Sequence, residues 1–82
     1  MHKAVKVWAI KNELVALKTK LYRLERLDGL INDIENDSGL FNVLGHLRLP
    51  PLKSERDFLR KNEPGYRDRI FEIEEWLRNE TS

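Results

Sequence analysis

The chain contains no cysteine, which excludes disulfides and thiolate metal sites. Its two histidines, His2 and His46, lie far apart with no carboxylate at ligand spacing. A lone histidine of this kind is far more often an ordinary surface residue than a ligand or a base. There is no phosphate-cradling loop, no Gly-rich dinucleotide turn, no His-Glu zinc helix and no Ser/His/Asp grouping. These absences point away from an enzyme, with no catalytic residue, no metal ligand and no cofactor expected. No apolar run approaches the ~18 residues of a membrane span, so no membrane partner is expected either.

Charge of one sign is also missing. Fifteen basic residues face fourteen acidic ones, for a net charge of +1. Bulk charge therefore does not mark a nucleic-acid binder. Charged residues make up 35% of the chain, which suits a soluble surface laced with ion pairs. The apolar fraction of 40% is too high for a disordered chain. Met1–Lys6 carries recurrent charges and no signal-peptide core, which reads as a cytoplasmic protein.

The length of 82 residues suits one domain. A chain this short buries only about 60% of its unfolded surface. Without disulfide or metal, oligomerisation is the remaining way to enlarge the core, and a homodimer is expected.

What the chain has in quantity is helical periodicity. Val7, Ile10, Leu14, Leu17, Leu21 and Leu24 step by three and four, as in the seam of a coiled coil. Trp8, Val15 and Tyr22 repeat every seven residues beside it, which widens the apolar face and suggests contacts on two sides. Leu27, Ile31 and Ile34 continue the stripe after two successive steps of three, a stammer that coincides with Asp28-Gly29. One long helix over 1–36 is expected, with a bend at Gly29 allowed. Asn36-Asp37-Ser38-Gly39 then breaks the chain. Residues 37–53 read as irregular with a short helix from Leu40 to Leu47 capped by Asp37 or Ser38. Leu49-Pro50-Pro51-Leu52 reads as extended, because proline disfavours the α region in the residue before it. Two helices over 54–80 follow: one from Ser54 to about Lys61, and one entered through Pro64 after a break at Asn62–Gly65. The last carries Tyr66, Ile70, Ile73 and Leu77 and runs antiparallel to the first.

The expected class is thus all-α, a long N-terminal helix, short middle helices and a returning C-terminal helix forming a hairpin or small bundle. Charge supports the return. Residues 1–26 are mainly basic, 27–45 acidic, 46–61 basic and 62–82 mainly acidic. A reversal in the middle sets opposite signs side by side, although exposed pairs contribute little next to apolar burial.

Several constellations compete with bland readings. Asp33, Glu35 and Asp37 resemble the start of a calcium loop, but the glycine is displaced and Leu44 stands where a bidentate Glu belongs. A solvated helix end is the better reading. Acids are unfavourable at that pole of the helix dipole, so a base such as Arg48 or Lys53 is expected nearby. Glu72 and Glu75 share a helix face and suit ion pairing better than acid–base work. Trp8 and Trp76 come to the same end of an antiparallel hairpin. Lys18, Lys20, Arg23, Arg26, Arg56 and Arg60 mix with aromatics as nucleic-acid surfaces do, the rival being pairing with the acidic last helix.

The sequence therefore points to a non-enzymatic, self-associating helical module, an adaptor, regulator or inhibitor that binds another protein. Leu14, Leu17, Leu21, Leu24 and Leu27 are the expected protein interface. The alternative is a nucleic-acid-binding accessory protein using the six bases just named.

Overall fold

A computed structural model describes residues 2–36 and 42–81, with side chains described for 3–36 and 46–80. Two helices, α1 (His2–Asn36) and α2 (Asn42–Thr81), pack against each other as an antiparallel hairpin. No strand occurs among the described residues. The molecule measures 58 × 21 × 18 Å. A straight helix of 40 residues spans about 60 Å, so α2 runs the whole length of the rod.

The stripe of α1 forms as its spacing predicts. Leu17, Leu24, Leu27 and Ile31 are buried, and Val7, Ile10, Leu14, Leu21 and Ile34 are half-buried. Leu27, at the stammer, has no exposed surface at all. Gly29 lies inside the continuous helix. Its φ is not positive, and a side chain added there would meet nothing within 4 Å.

The expectation for 37–64 needs correction. Residues 37–41, including the Asn-Asp-Ser-Gly breaker and its proposed caps, lie outside the described residues. From Asn42 onward the backbone is a single helix that includes Pro50, Pro51 and Pro64. Neither the extended Leu49–Leu52 segment nor a break at Asn62–Gly65 forms. The physical reason is a register that the prolines concealed. Leu49, Leu52, Arg56, Leu59, Glu63, Tyr66, Ile70, Ile73 and Leu77 step by three and four without interruption. Ending the helix at a proline would rotate everything beyond it off this seam.

Each proline removes one backbone hydrogen bond and crowds the carbonyl four residues back, at about 3 kcal/mol in a helix interior. The carbonyls concerned belong to His46, Leu47 and Arg60. These residues and the three prolines are all exposed, so water can satisfy the freed oxygens. Arg56 and Glu63 fill the two charged positions of the register. Each keeps only 27% of its side chain exposed. Their heads pair along α2, Arg56 with Asp57 and Glu63 with Arg67, while their stems cover apolar surface.

Ile31 and Leu49 are buried, and two further clusters of core side chains lie among the described residues. Leu17, Ile70 and Ile73 form one, with Ile10, Leu14, Leu21 and Leu77 around them. Leu24, Leu27 and Leu59 form the other, with Leu52 beside them. Tyr66 packs against both and joins them. α2 reaches the full length of α1, so the leucine face of α1 lies against it from end to end.

These contacts set measurable stabilities. Leu27→Ala should cost ~2–5 kcal/mol in urea unfolding, as for other large-to-small core changes. Gly29→Ala should add about 1 kcal/mol, since the helical backbone there already suits alanine. Pro64→Ala should add up to about 3 kcal/mol by restoring the hydrogen bond to Arg60. If Pro64 instead opened a separate helix, its replacement would be neutral or slightly destabilising.

Candidate interaction surface

The seam between the helices is flanked on both sides by charge. On one flank Lys18 meets Glu74 at 3.7 Å, Lys53 meets Glu35 at 3.6 Å, and Arg60 pairs with Asp28. On the other, Arg23 grips Glu55, with Nη2–Oε2 at 3.0 Å. There too the Arg69 guanidinium donates to both Glu13 oxygens, from Nε at 2.6 Å and Nη2 at 3.1 Å, while Nη1 donates to Glu72 at 3.1 Å. Lys3 meets Glu80 at 3.2 Å near the open end. From Lys3–Glu80 at one end to Glu35–Lys53 at the other, the start of α1 pairs with the end of α2 and the end of α1 with its start, as an antiparallel register requires. Lys53 supplies the base expected near the acidic end of α1.

The bidentate hydrogen bond from Arg69 holds the Glu13 carboxyl below its ordinary pKa, with its charge acting the same way and partial desolvation opposing. The carboxylate hydrogen bonds from Glu13 and then Glu72 hold the Arg69 guanidinium above its ordinary value. Trp76 lies under Lys6 Nζ at 5.3 Å, and Tyr66 under Lys20 Nζ at 5.0 Å.

The six bases of the nucleic-acid alternative are mostly engaged inside the hairpin. Lys18, Arg23 and Arg60 pair across it, Arg56 pairs with Asp57, and Lys20 lies over Tyr66. Arg26 is exposed. Glu72 and Glu75 each take an arginine three residues away, Arg69 and Arg78. His46 is exposed, and so are Asp33 and Glu35; Asp37 lies outside the described residues. Among the described residues no three His, Cys, Asp or Glu side chains gather to hold a metal ion. No described helix is long and apolar enough to cross a membrane.

The five leucines expected to form a protein interface face α2 of the same chain. Leu17, Leu24 and Leu27 are buried there, and Leu14 and Leu21 pack half-buried at the edge of the same core. A partner could reach Leu17, Leu24 and Leu27 only if the hairpin opened. The large apolar side chains that remain outside are different ones: Val5, Trp8, Val15 and Tyr22 on α1, and Leu47, Phe58 and Phe71 on α2. The three on α2 are scattered. The four on α1 fall on one line.

That line was half legible in the sequence. Trp8, Val15 and Tyr22 stand out by their spacing of seven. Val5, Asn12 and Thr19 complete it, giving Val5, Trp8, Asn12, Val15, Thr19 and Tyr22 in steps of three and four. This is a second heptad seam, on the side of α1 away from α2. Asn12 and Thr19 masked it because they are polar. Thr19 Oγ1, however, donates to the Val15 carbonyl at 2.7 Å, so its donor stays satisfied when that face is covered.

The geometry defines a two-helix antiparallel hairpin with a packed inner seam and a bare outer one. Comparison with protein-family models, with curated proteins and with solved structures finds no match to this chain.

The Glu13–Arg69 pair yields a pH test. A depressed carboxyl pKa stabilises the fold above the ordinary value near 4.5. That contribution is lost as pH falls through the lower folded value. Urea midpoints measured from pH 6 down to pH 2 should fall for the wild type. The fall should be shallower for Glu13→Gln, which has no carboxyl to protonate at that position. Equal slopes for the two proteins would mean the pair contributes nothing.

Proposed function

We propose that the protein is a non-enzymatic helical interaction module, an adaptor, regulator or inhibitor that acts by binding another polypeptide through the outer face of α1. One observation carries this reading. Val5, Trp8, Val15 and Tyr22 are each 62–68% exposed and fall on one coiled-coil line. Single exposed apolar residues are ordinary, but four aligned on one helix face mark a contact surface. Tryptophan and tyrosine in such a row are the residue types that most often dominate binding energy.

The inner seam supports the reading from the other side. It supplies stability within one chain, so the outer row is not needed for folding and is free to serve a partner. A homodimer through the inner leucines would require the hairpin to open, whereas one through the outer row would not. A nucleic-acid role has less support, since five of the six bases named for it already pair with an acid or an aromatic ring of the same chain.

The test is site-specific photo-cross-linking in cells that make the protein. Val15→benzoylphenylalanine should give a discrete protein adduct, and the same probe at exposed Lys61 should not. Adducts of equal yield at both positions, or none at Val15, would remove this face as the working surface.

A further inference from the structure

Resting on that reading, we propose that the outer seam of α1 receives an amphipathic helix from an unlike protein whose positions flanking its apolar stripe are acidic. The shape of the seam argues for a helix. Its side chains repeat by three and four over Val5 to Tyr22, a straight run of about 25 Å. Ala9 and Ala16 lie beside Trp8 and Val15, and small neighbours let a second helix axis come close. Asn12, near the middle, has no hydrogen-bond partner among the described residues. A lone asparagine in an apolar seam fixes register by seeking a polar group across the interface.

Charge selects the partner. Lys11 and Lys18 border the seam on one side, Arg23 on the other, and Arg26 continues its line beyond Tyr22. Glu25 is the single acid along this border. Lys18 and Arg23 already have partners across the inner seam, whereas Lys11 and Arg26 have no ion-pair partner among the described residues. A second copy would bring the same cations against each other. In a parallel arrangement Lys18 meets Arg23 and Arg26 meets itself; in an antiparallel one Lys11 meets Lys18. Like charges set opposite one another disfavour both registers. A helix with glutamates at its flanking positions meets each of these cations with an opposite charge. A nucleic-acid strand fits less well, because from Val5 to Tyr22 the line itself holds no cation.

The probes are two synthetic 28-residue helices with leucine at the stripe positions, one flanked by glutamate and one by lysine. Titration calorimetry with the full chain at low salt should give at least tenfold tighter binding of the glutamate helix, a preference that narrows at high salt. Val15→Asp should weaken that binding at least tenfold while leaving the circular dichroism melt of the hairpin in place. Lys11→Glu combined with Arg26→Glu should reverse the preference, which keeps the test sharp if Val15→Asp unfolds. Equal affinity for both helices, or no binding of the glutamate helix, would overturn the proposal. So would an oligonucleotide that binds the wild type and not Val15→Asp. Concentration-dependent dimerisation that Val15→Asp abolishes, without helix binding, would assign the seam to a second copy. In that case a cross-link at Val15 would still uphold the outer face as the contact surface, whereas its absence would remove that reading too.

Discussion

Everything in this molecule depends on keeping one apolar seam in register over its full length. A hairpin of two helices has a single interface in which to bury side chains, and among the described residues no third element covers a lapse. The deepest burial is at Leu24, Leu27, Ile31 and Ile73, and each must find its hole in the opposite helix. That requirement outweighs local preference. It carries α2 through three prolines and α1 through Gly29, because a turn at any of them would misalign the residues beyond it. The proline cost is contained by placing the rings and the freed carbonyls on the wet side of α2.

The flanking charges act on this seam as a guide to direction more than as a source of stability. Exposed ion pairs contribute little singly. Reversing α2, however, would set the basic start of α1 beside Arg48, Lys53 and Arg56, and the acidic end of α1 beside Glu74, Glu75 and Glu80. The alternation of sign along the chain therefore penalises the parallel arrangement and sliding of the register. The Glu13–Arg69 clasp shows that the blocks are not uniform. An acid in the basic third meets a base in the acidic third, with bidentate geometry and no net charge conflict.

With the inner seam closed, what remains on the outside gains meaning. The leucines that look most like an interface in the sequence are spent on α2. The aromatic row that looks like mere widening of the apolar face is the part left bare. An opposed pair of seams on one helix is the arrangement of the central member of a larger bundle, with one seam filled by its own chain. The outer seam has its polar positions at Asn12 and Thr19, one exposed with no hydrogen-bond partner among the described residues and one bonded to its own backbone. The outer seam is thus uneven in its demands on a partner, which is how register is chosen in helix pairing.

The sequence by itself determined the class, the first helix and its buried stripe, the antiparallel return, and the placing of Trp76 at the Trp8 end of the hairpin, where it lies beside Lys6. These follow from local period and from the order of charge blocks, both of which are written along the chain. Only the tertiary structure decided that α2 is unbroken, because proline's local cost is legible in isolation and the gain from staying on the seam is not. It also decided which of the two apolar lines on α1 is covered. Both lines have the spacing of a seam, and periodicity cannot say which one the second helix will take. Burial settles that choice: the longer, purely aliphatic line from Val7 to Ile34 lies against α2, and the line interrupted by Asn12 and Thr19 is left to the solvent side.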